Sequence, residues 1–253
     1  MPTSQDNTKL QKLQKWWNAL LDAIWPRKCE LCGELVDREG FHLCGECLMR
    51  LPIVDFNGCC EICGKDIGAG EYSLLCQDCS GPHKPAFDRA AFALRFEEDA
   101  RNMILDYKFN RSIWLRNDFV LLMEAAARRR FDLDAVDMVC PMPLTLFHRL
   151  DRGYNQCAYL ARELARRIAR EDRADIVRRT GHPRRQAGLT EKERRENERG
   201  TFAIRHAEAI VGKTVLVVDD VLTTGATLSE CARALKDAGA QRVFALTLAK
   251  AVR

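Results

Sequence analysis

Two groups of residues in this 253-residue chain have types and spacing that could do chemistry. The first is a run of four Cys-x-x-Cys pairs, at 29/32, 44/47, 60/63 and 76/79. Each pair can wrap two thiolates around one metal ion, and two pairs complete a tetrahedral four-thiolate site. Cys29, Cys32, Cys44, Cys47, Cys60, Cys63, Cys76 and Cys79 are therefore the expected ligands of two structural zinc ions. A glycine follows Cys32 and Cys63, which suits the tight turn of a zinc knuckle. Eleven or twelve residues separate consecutive pairs. That spacing makes two sequential ribbons natural and leaves a cross-braced pairing open. Cys59 adjoins Cys60, and Cys60 is taken as the ligand because it aligns with Cys29 in the repeat.

The second group is the segment 215–228, an apolar strand that ends in Asp219 and Asp220. A turn of small residues follows, Thr223, Thr224, Gly225, Ala226 and Thr227. Open α/β sheets place ligands at the carboxyl ends of their strands. The turn offers backbone N–H groups, three hydroxyls and the positive end of a following helix, all suited to a phosphate. Ionised carboxylates do not suit a phosphate. A ribose diol, which donates two hydroxyls, suits them directly or through a metal. A P-loop is excluded, because Gly212 and Lys213 lie before the strand instead of after it.

These residues need a scaffold. The chain is 47% hydrophobic and 30% charged, an ordinary globular balance. No apolar run approaches the ~18 residues of a membrane span. Residues 8–25 form an amphipathic helical pattern broken by Lys12, Lys15 and Asp22, without a secretory cleavage pattern. Twelve cysteines, most in short-spaced pairs, suit metal binding in a reducing, cytoplasmic setting. Aromatic residues are scattered through the cysteine module, so no base-stacking surface is evident there.

Beyond Pro82 and Pro85, strands are expected at 89–96, 136–139, 215–218 and 243–248. Helices are expected near 100–107, 113–130, after Gly153 and at 228–237. Helices alternating with apolar strands predict an α/β fold, a parallel sheet covered on both faces. Residues 178–199 carry eight bases against four glutamates, a concentration equal to the +4 net charge of the whole chain. Cys140, Cys157 and Cys231 read as buried fillers, with Cys140 the one to watch beside the 141–144 turn.

The strand, acid pair and hydroxyl-rich turn resemble the signature of phosphoribosyltransferases that use phosphoribosyl pyrophosphate (PRPP). Further residues extend the likeness: Pro141, Pro143 and Leu144; Arg149, Arg152, Asn155 and Gln156; Gln186, Arg194 and Asn197; Gly200 and Phe202. With the paired cysteines they resemble the ComF family of competence-associated proteins, also described as GntX-like, over residues 29–253.

The resemblance implies a type I phosphoribosyltransferase fold over 86–253 and a double zinc ribbon at 29–81; the N-terminal amphipathic helix, within 1–28, falls outside it. It implies that Asp219 and Asp220 hold the ribose hydroxyls and that residues 223–227 cradle the 5′-phosphate. Pro143 and Leu144 would lie near the pyrophosphate, with Arg149 or Arg152 as charge partner. Arg194 would belong to a mobile loop that covers the site. Magnesium would accompany PRPP, because a hard ion suits oxygen ligands. Asp219, Asp220 and Arg152 are the expected catalytic residues, with no general base, since His148 and His182 read as loop or surface residues. The resemblance implies transfer of a phosphoribosyl group and a link to DNA uptake. The alternative is a non-catalytic factor that binds PRPP, single-stranded DNA or a competence translocase. The acceptor and the oligomeric state stay open.

Overall fold

A computed structural model describes residues 26–68, 74–82, 84–110, 112–144, 154–180 and 200–251. The N-terminal helix pattern, Arg149, Arg152, Arg194, His148, His182 and most of the basic stretch lie outside the described residues.

The chain divides into two compact units, residues 1–50 and 51–253. The first contains one ribbon. Its knuckle turns at Gly33, with Gly33 N–H donating to Cys29 O at 2.9 Å and Lys28 bridging Leu35. Helix α1 (Gly45–Arg50) brings up the second cysteine pair.

The second unit is built on a five-stranded parallel sheet. Its strands are β1 (Arg89–Arg95), β2 (Met138–Pro141), β3 (Glu171–Asp172), β6 (Thr214–Leu222) and β7 (Arg242–Lys250), in the spatial order β1-β7-β6-β2-β3. The two longest strands are central. They are buried over most of their length, as strands covered on both faces must be. A separate antiparallel pair, β4 (Val177–Arg179) and β5 (Phe202–Ile204), flanks the basic stretch.

Among the described residues this unit has five α-helices: α2 (Gln77–Ser80), α3 (Glu98–Phe109), α4 (Arg116–Arg130), α5 (Gln156–Arg167) and α6 (Ala226–Asp237). Leu228, Cys231, Ala232 and Leu235 of α6 pack with Val215, Val217, Val243 and Ala245 in one cluster. The alternate spacing of those strand residues marks one face of the sheet. Helix α5 packs on β2 and β6, and α4 packs on β1, β7 and α5. Asp88 sets the register at the start of β1. Its carboxylate accepts from Val243 N–H at 2.7 Å and from Lys236 Nζ at 2.7 Å.

The second ribbon is fastened to the free edge of β1. Ala90 N–H donates to Ile62 O at 2.7 Å, Val54 N–H donates to Ala93 O at 3.0 Å, and Arg95 N–H donates to Pro52 O at 2.9 Å. An exposed parallel edge would invite pairing with another chain, and the ribbon covers it. Arg130, at the end of α4, donates through Nη2 to Cys60 O and Glu61 O, both at 2.9 Å, and lies over the Phe56 ring. Phe56 in turn meets Phe92 edge to face at 5.3 Å. Cys60, Ile62, Cys76 and Cys79 belong to the same buried cluster as Phe87, Phe92 and Leu222.

Candidate functional site

The cysteines resolve into sequential clusters, the first pair with the second and the third with the fourth. Within each cluster the four sulfurs lie within 4.8 Å of one another. A tetrahedron with metal–sulfur bonds of about 2.3 Å has edges of about 3.8 Å. Cys32 and Cys44 sulfurs are 3.6 Å apart, as are those of Cys63 and Cys76. Backbone donors point at the sulfurs, Cys44 N–H to Cys29 Sγ and Cys47 N–H to Cys44 Sγ, both at 3.4 Å. Burial raises the Cys60 thiol, but the N–H groups of Cys63, Cys76 and Ile62 outweigh it and carry it down to about 7. Such donors stabilise thiolate, the form that binds metal. The two clusters fit two structural zinc sites, and Cys60, not Cys59, is the ligand position. Gly64 takes φ +66, and a Cβ there would stand 2.7 Å from the Phe92 ring. Only glycine lets the second knuckle sit this close to β1.

The acid pair lies at the carboxyl end of β6. Asp220 is held from two sides: Lys108 Nζ of α3 lies 2.8 Å from Oδ1, and Gln156 Nε2 of α5 donates to Oδ2 at 2.9 Å. Asp219 Oδ1 accepts from Asp220 N–H at 2.8 Å and from the Cys157 thiol at 3.4 Å. Burial, and then the Asp220 charge, push the Asp219 carboxyl up to about 6. Burial, and then Asp219, raise the Cys157 thiol well above its ordinary value, so it remains a donor. Gln156 is fully buried, and its Oε1 has no partner among the described residues. A buried acceptor left bare in this way calls for a partner, an ordered water or ion as much as a ligand's donor.

Asn155 explains how α5 delivers these groups. As N-cap its Oδ1 accepts from Cys157 N–H at 3.0 Å, while its Nδ2 donates to Met142 O at 3.1 Å. Met142 N–H donates to Val218 O at 2.8 Å. The start of α5, the end of β2 and the acid-bearing end of β6 are thus tied together. Pro143 and Leu144 follow directly, half-buried.

Past the acids, Gly225 takes φ +77 and caps α6 without any side-chain cap bond. Thr224 Oγ1 approaches Ala226 N–H only at 3.4 Å, and Thr223 is exposed. The first-turn amides of a twelve-residue helix therefore face outward with little local competition, the ordinary arrangement for an anion site.

Lys108 was not singled out from sequence, Gln156 stood there only as part of the family resemblance, and Cys157 was read as a buried filler. Gln156 and Cys157 follow an Asn N-cap that could have drawn attention; Lys108 carried no local signal. Cys140, the cysteine marked for attention, is fully buried in the core, where burial pushes its thiol up to about 12. Cys157 is the one beside the acids. The basic arginines of the resemblance, Arg149, Arg152 and Arg194, fall outside the described residues.

No helix among the described residues is long and apolar enough to cross a membrane. A family model for the phosphoribosyl transferase domain matches residues 155–252, and one for the double zinc ribbon domain matches 20–80. Competence protein F of Haemophilus influenzae is 30% identical over 222 residues, covering 82% of this chain and 96% of that protein. The DNA utilization protein YhgH of Escherichia coli K12 is 27% identical over 217 residues, covering 79% and 93%. Competence protein ComFC of Streptococcus pneumoniae is 25% identical over 241 residues, covering 88% and 100%. With a parallel sheet carrying a phosphoribosyl transferase domain behind a double zinc ribbon, the chain belongs to the ComF family of competence-associated proteins.

Proposed function

We propose that this protein binds PRPP with magnesium and transfers its phosphoribosyl group to an acceptor in the cytosol. The observation that carries the reading is the sequence of groups along the end of β6: an acid pair supported by buried donors, then an uncapped helix N-terminus behind a hydroxyl-rich turn. Asp219 and Asp220 would accept the ribose hydroxyls, and the buried Gln156 Oε1 would accept a further donor. Residues 223–227 would cradle the 5′-phosphate. Pro143 and Leu144 would border the pyrophosphate, with Arg149, Arg152 and Arg194 supplying charge.

The protein's own donor set bears on magnesium. The third cluster of possible ligands is Cys157, Asp219 and Asp220. One of these is a protonated thiol, and Asp220 is already engaged on both oxygens. That set is poor for a dedicated magnesium cage. It fits an ion carried largely by the oxygens of PRPP, with Asp219 as the protein's contribution. Bound there, magnesium would neutralise charge on the leaving pyrophosphate.

In the transfer, the acceptor's lone pair forms the new bond to the anomeric carbon. The bond from that carbon to pyrophosphate oxygen breaks, its electron pair leaves on pyrophosphate, and the acceptor's proton passes to solvent. The chain's part is to position PRPP and stabilise charge, which needs no strong base. The names of the relatives, competence protein and DNA utilization protein, support a role for this chemistry in handling DNA that has been taken up.

Isothermal titration of the zinc-loaded protein with PRPP, with and without magnesium, tests the proposal. Magnesium-dependent binding is expected. No binding at millimolar PRPP would overturn it and move attention to the ribbons as the working surface.

A further inference from the structure

The second zinc knuckle and the turn after β6 stand at two ends of one short chain of contacts. Strands β6 and β7 run side by side to their ends, where Leu222 pairs with Lys250. Leu222 O also accepts from Ala251 N–H at 2.9 Å. The turn 223–227 begins at the next residue of β6. From the paired position on β7, Lys250 Nζ lies over the Phe92 ring at 4.9 Å and donates to Cys63 O at 3.3 Å. Cys63 belongs to the second four-cysteine cluster, and both ends of this path lie in one compact unit.

Packing follows the same path. Gly64 of the knuckle stands so near Phe92 that a Cβ would come within 2.7 Å of the ring. At the other end, a Cβ on Gly225 would stand 3.4 Å from Leu222 Cδ1 and 3.7 Å from Phe87 Cε1. Phe87, Phe92 and Leu222 share one buried cluster with Cys60, Cys76 and Cys79. A cavity of about 730 Å³ lies between the knuckle and the turn, lined by Phe87, Phe92, Leu222 and Lys250. The side-chain link between the two is therefore narrow, and Lys250 is the residue that crosses from strand end to knuckle.

Zinc gives this link two states. Four thiolates around one zinc ion fold the knuckle and form a site with a net charge of about −2. Without the ion, so small a ribbon has too little core to keep its shape. Lys250 then loses both the fixed carbonyl that accepts from it and the anionic cluster beside it. A half-buried ammonium without partners is costly, so the strand end that carries it rearranges. A phosphate that requires residues 222–225 in place favours the zinc-loaded knuckle, and by reciprocity zinc favours the phosphate by the same factor.

We propose that the second zinc site and the phosphate-binding turn are energetically linked, each holding the other in place, and that Lys250 is the positioning residue that couples them. The proposal rests on the phosphoribosyl reading of the turn. It makes zinc occupancy of one ribbon a control on ligand affinity, in addition to its structural role.

Pulsed alkylation of the full zinc-loaded chain, read by mass spectrometry at each cysteine, tests it with PRPP and magnesium as the probe. Direct titration measures PRPP binding in parallel. Saturating PRPP is expected to slow alkylation of Cys60, Cys63, Cys76 and Cys79 at least about fivefold, the low end of site-to-site coupling. Cys29, Cys32, Cys44 and Cys47 should change less than twofold, and they control for zinc drawn off by the pyrophosphate. In Lys250→Met, which keeps the apolar stem over Phe92, the second ribbon should react faster without PRPP. The slowing by saturating PRPP should fall below twofold there. A residue that merely stabilised the ribbon would change the first rate and leave that ratio as in the wild type.

PRPP binding to the wild type without slowing at the second ribbon overturns the linkage, and this arm needs no variant. Equal slowing at both ribbons overturns it too, and full slowing in Lys250→Met removes Lys250 from it. Cys140 lies fully buried in the sheet. Second-ribbon cysteines that react no faster than Cys140 would report unfolding of the whole unit, which also overturns the linkage. Absence of PRPP binding to the wild type overturns the phosphoribosyl reading itself, and the linkage falls with it.

Discussion

Asp219→Asn should make the protein more stable while it destroys the site. The Asp219 carboxyl is held at about 6 by burial and by the Asp220 charge, against an ordinary 3.8. A carboxyl whose folded pKa is raised contributes stability that is present below its unfolded pKa and lost as pH rises through the folded one. Above pH 6 the folded protein therefore carries an ionised group that the unfolded chain would hold more comfortably. The penalty is at most about 1.5 kcal/mol at pH 5 and at most about 3 kcal/mol at pH 7.5. Asparagine keeps an oxygen for Asp220 N–H and the Cys157 thiol and removes the charge.

In a chain of this size ~1 kcal/mol corresponds to roughly 2–4 °C. Calorimetry should show Tm rising at both pH values, by up to about 6 °C at pH 5 and by more, up to about 12 °C, at pH 7.5, a range in which the zinc thiolates can be kept loaded. PRPP affinity should fall roughly 10- to 150-fold, the loss of a hydrogen bond to a charged acceptor. A variant less stable than the wild type at both pH values would refute the reasoning, because the carboxylate would then be a structural anchor. Unchanged PRPP affinity would refute its assignment to the ribose.

Lys108→Met removes the cation beside Asp220 and leaves a largely buried carboxylate one partner short. We expect a loss of about 2–3 kcal/mol and weaker PRPP binding at pH 7 than in the wild type, read by titration. Arg130→Met strips donors from Cys60 O and Glu61 O. It should cost about 2–4 kcal/mol and speed zinc release to a chelator, measured with a chromogenic thiol or zinc dye. The two zinc sites should also differ: Cys76→Ser should lower the main unfolding transition by at least about 5 °C, and Cys44→Ser by less, because only the former ligand sits in the cluster shared with Phe92 and Leu222. Equal shifts would show that the second ribbon is no more tied to the sheet than the first.

The residues that sequence made legible are those whose chemistry is local. Pairs of cysteines two residues apart declare a metal site because the ligands of each half lie on one knuckle. The end of β6 points to a candidate anion site because strand, acids, turn and helix start are consecutive, and the structure keeps that order at the carboxyl end of the strand. The four longer strands and the four longer helices were expected within a few residues of where they stand, since their apolar patterns span whole elements. What stayed hidden depends on segments far apart in the chain. Lys108 is an ordinary lysine near the end of a helix until α3 lies beside β6, and Gln156 is an ordinary polar residue until α5 starts at the end of β2. The short β4 and β5 strands are too brief to show a period, and the β1 edge gives no sign of what covers it.

That covering is where local and distant features meet. A ribbon of some thirty residues has too little core to fold without metal. Here it gains a second support by completing the hydrogen bonds of β1 and lending Cys60, Ile62, Cys76 and Cys79 to the buried cluster of the sheet. The support runs both ways. Arg130 holds the knuckle from α4, and Lys250 holds it from the strand end that adjoins the turn. Zinc at the second site thus fixes the sulfur-bearing knuckle, the knuckle fixes Phe92 and Lys250, and these border residues 222–225. Under the proposed phosphoribosyl transfer, which would rest mainly on positioning one phosphate and one ribose, a rigid neighbour at that point would be an advantage, and this coupling would account for a ribbon built into the sheet unit instead of hanging from it.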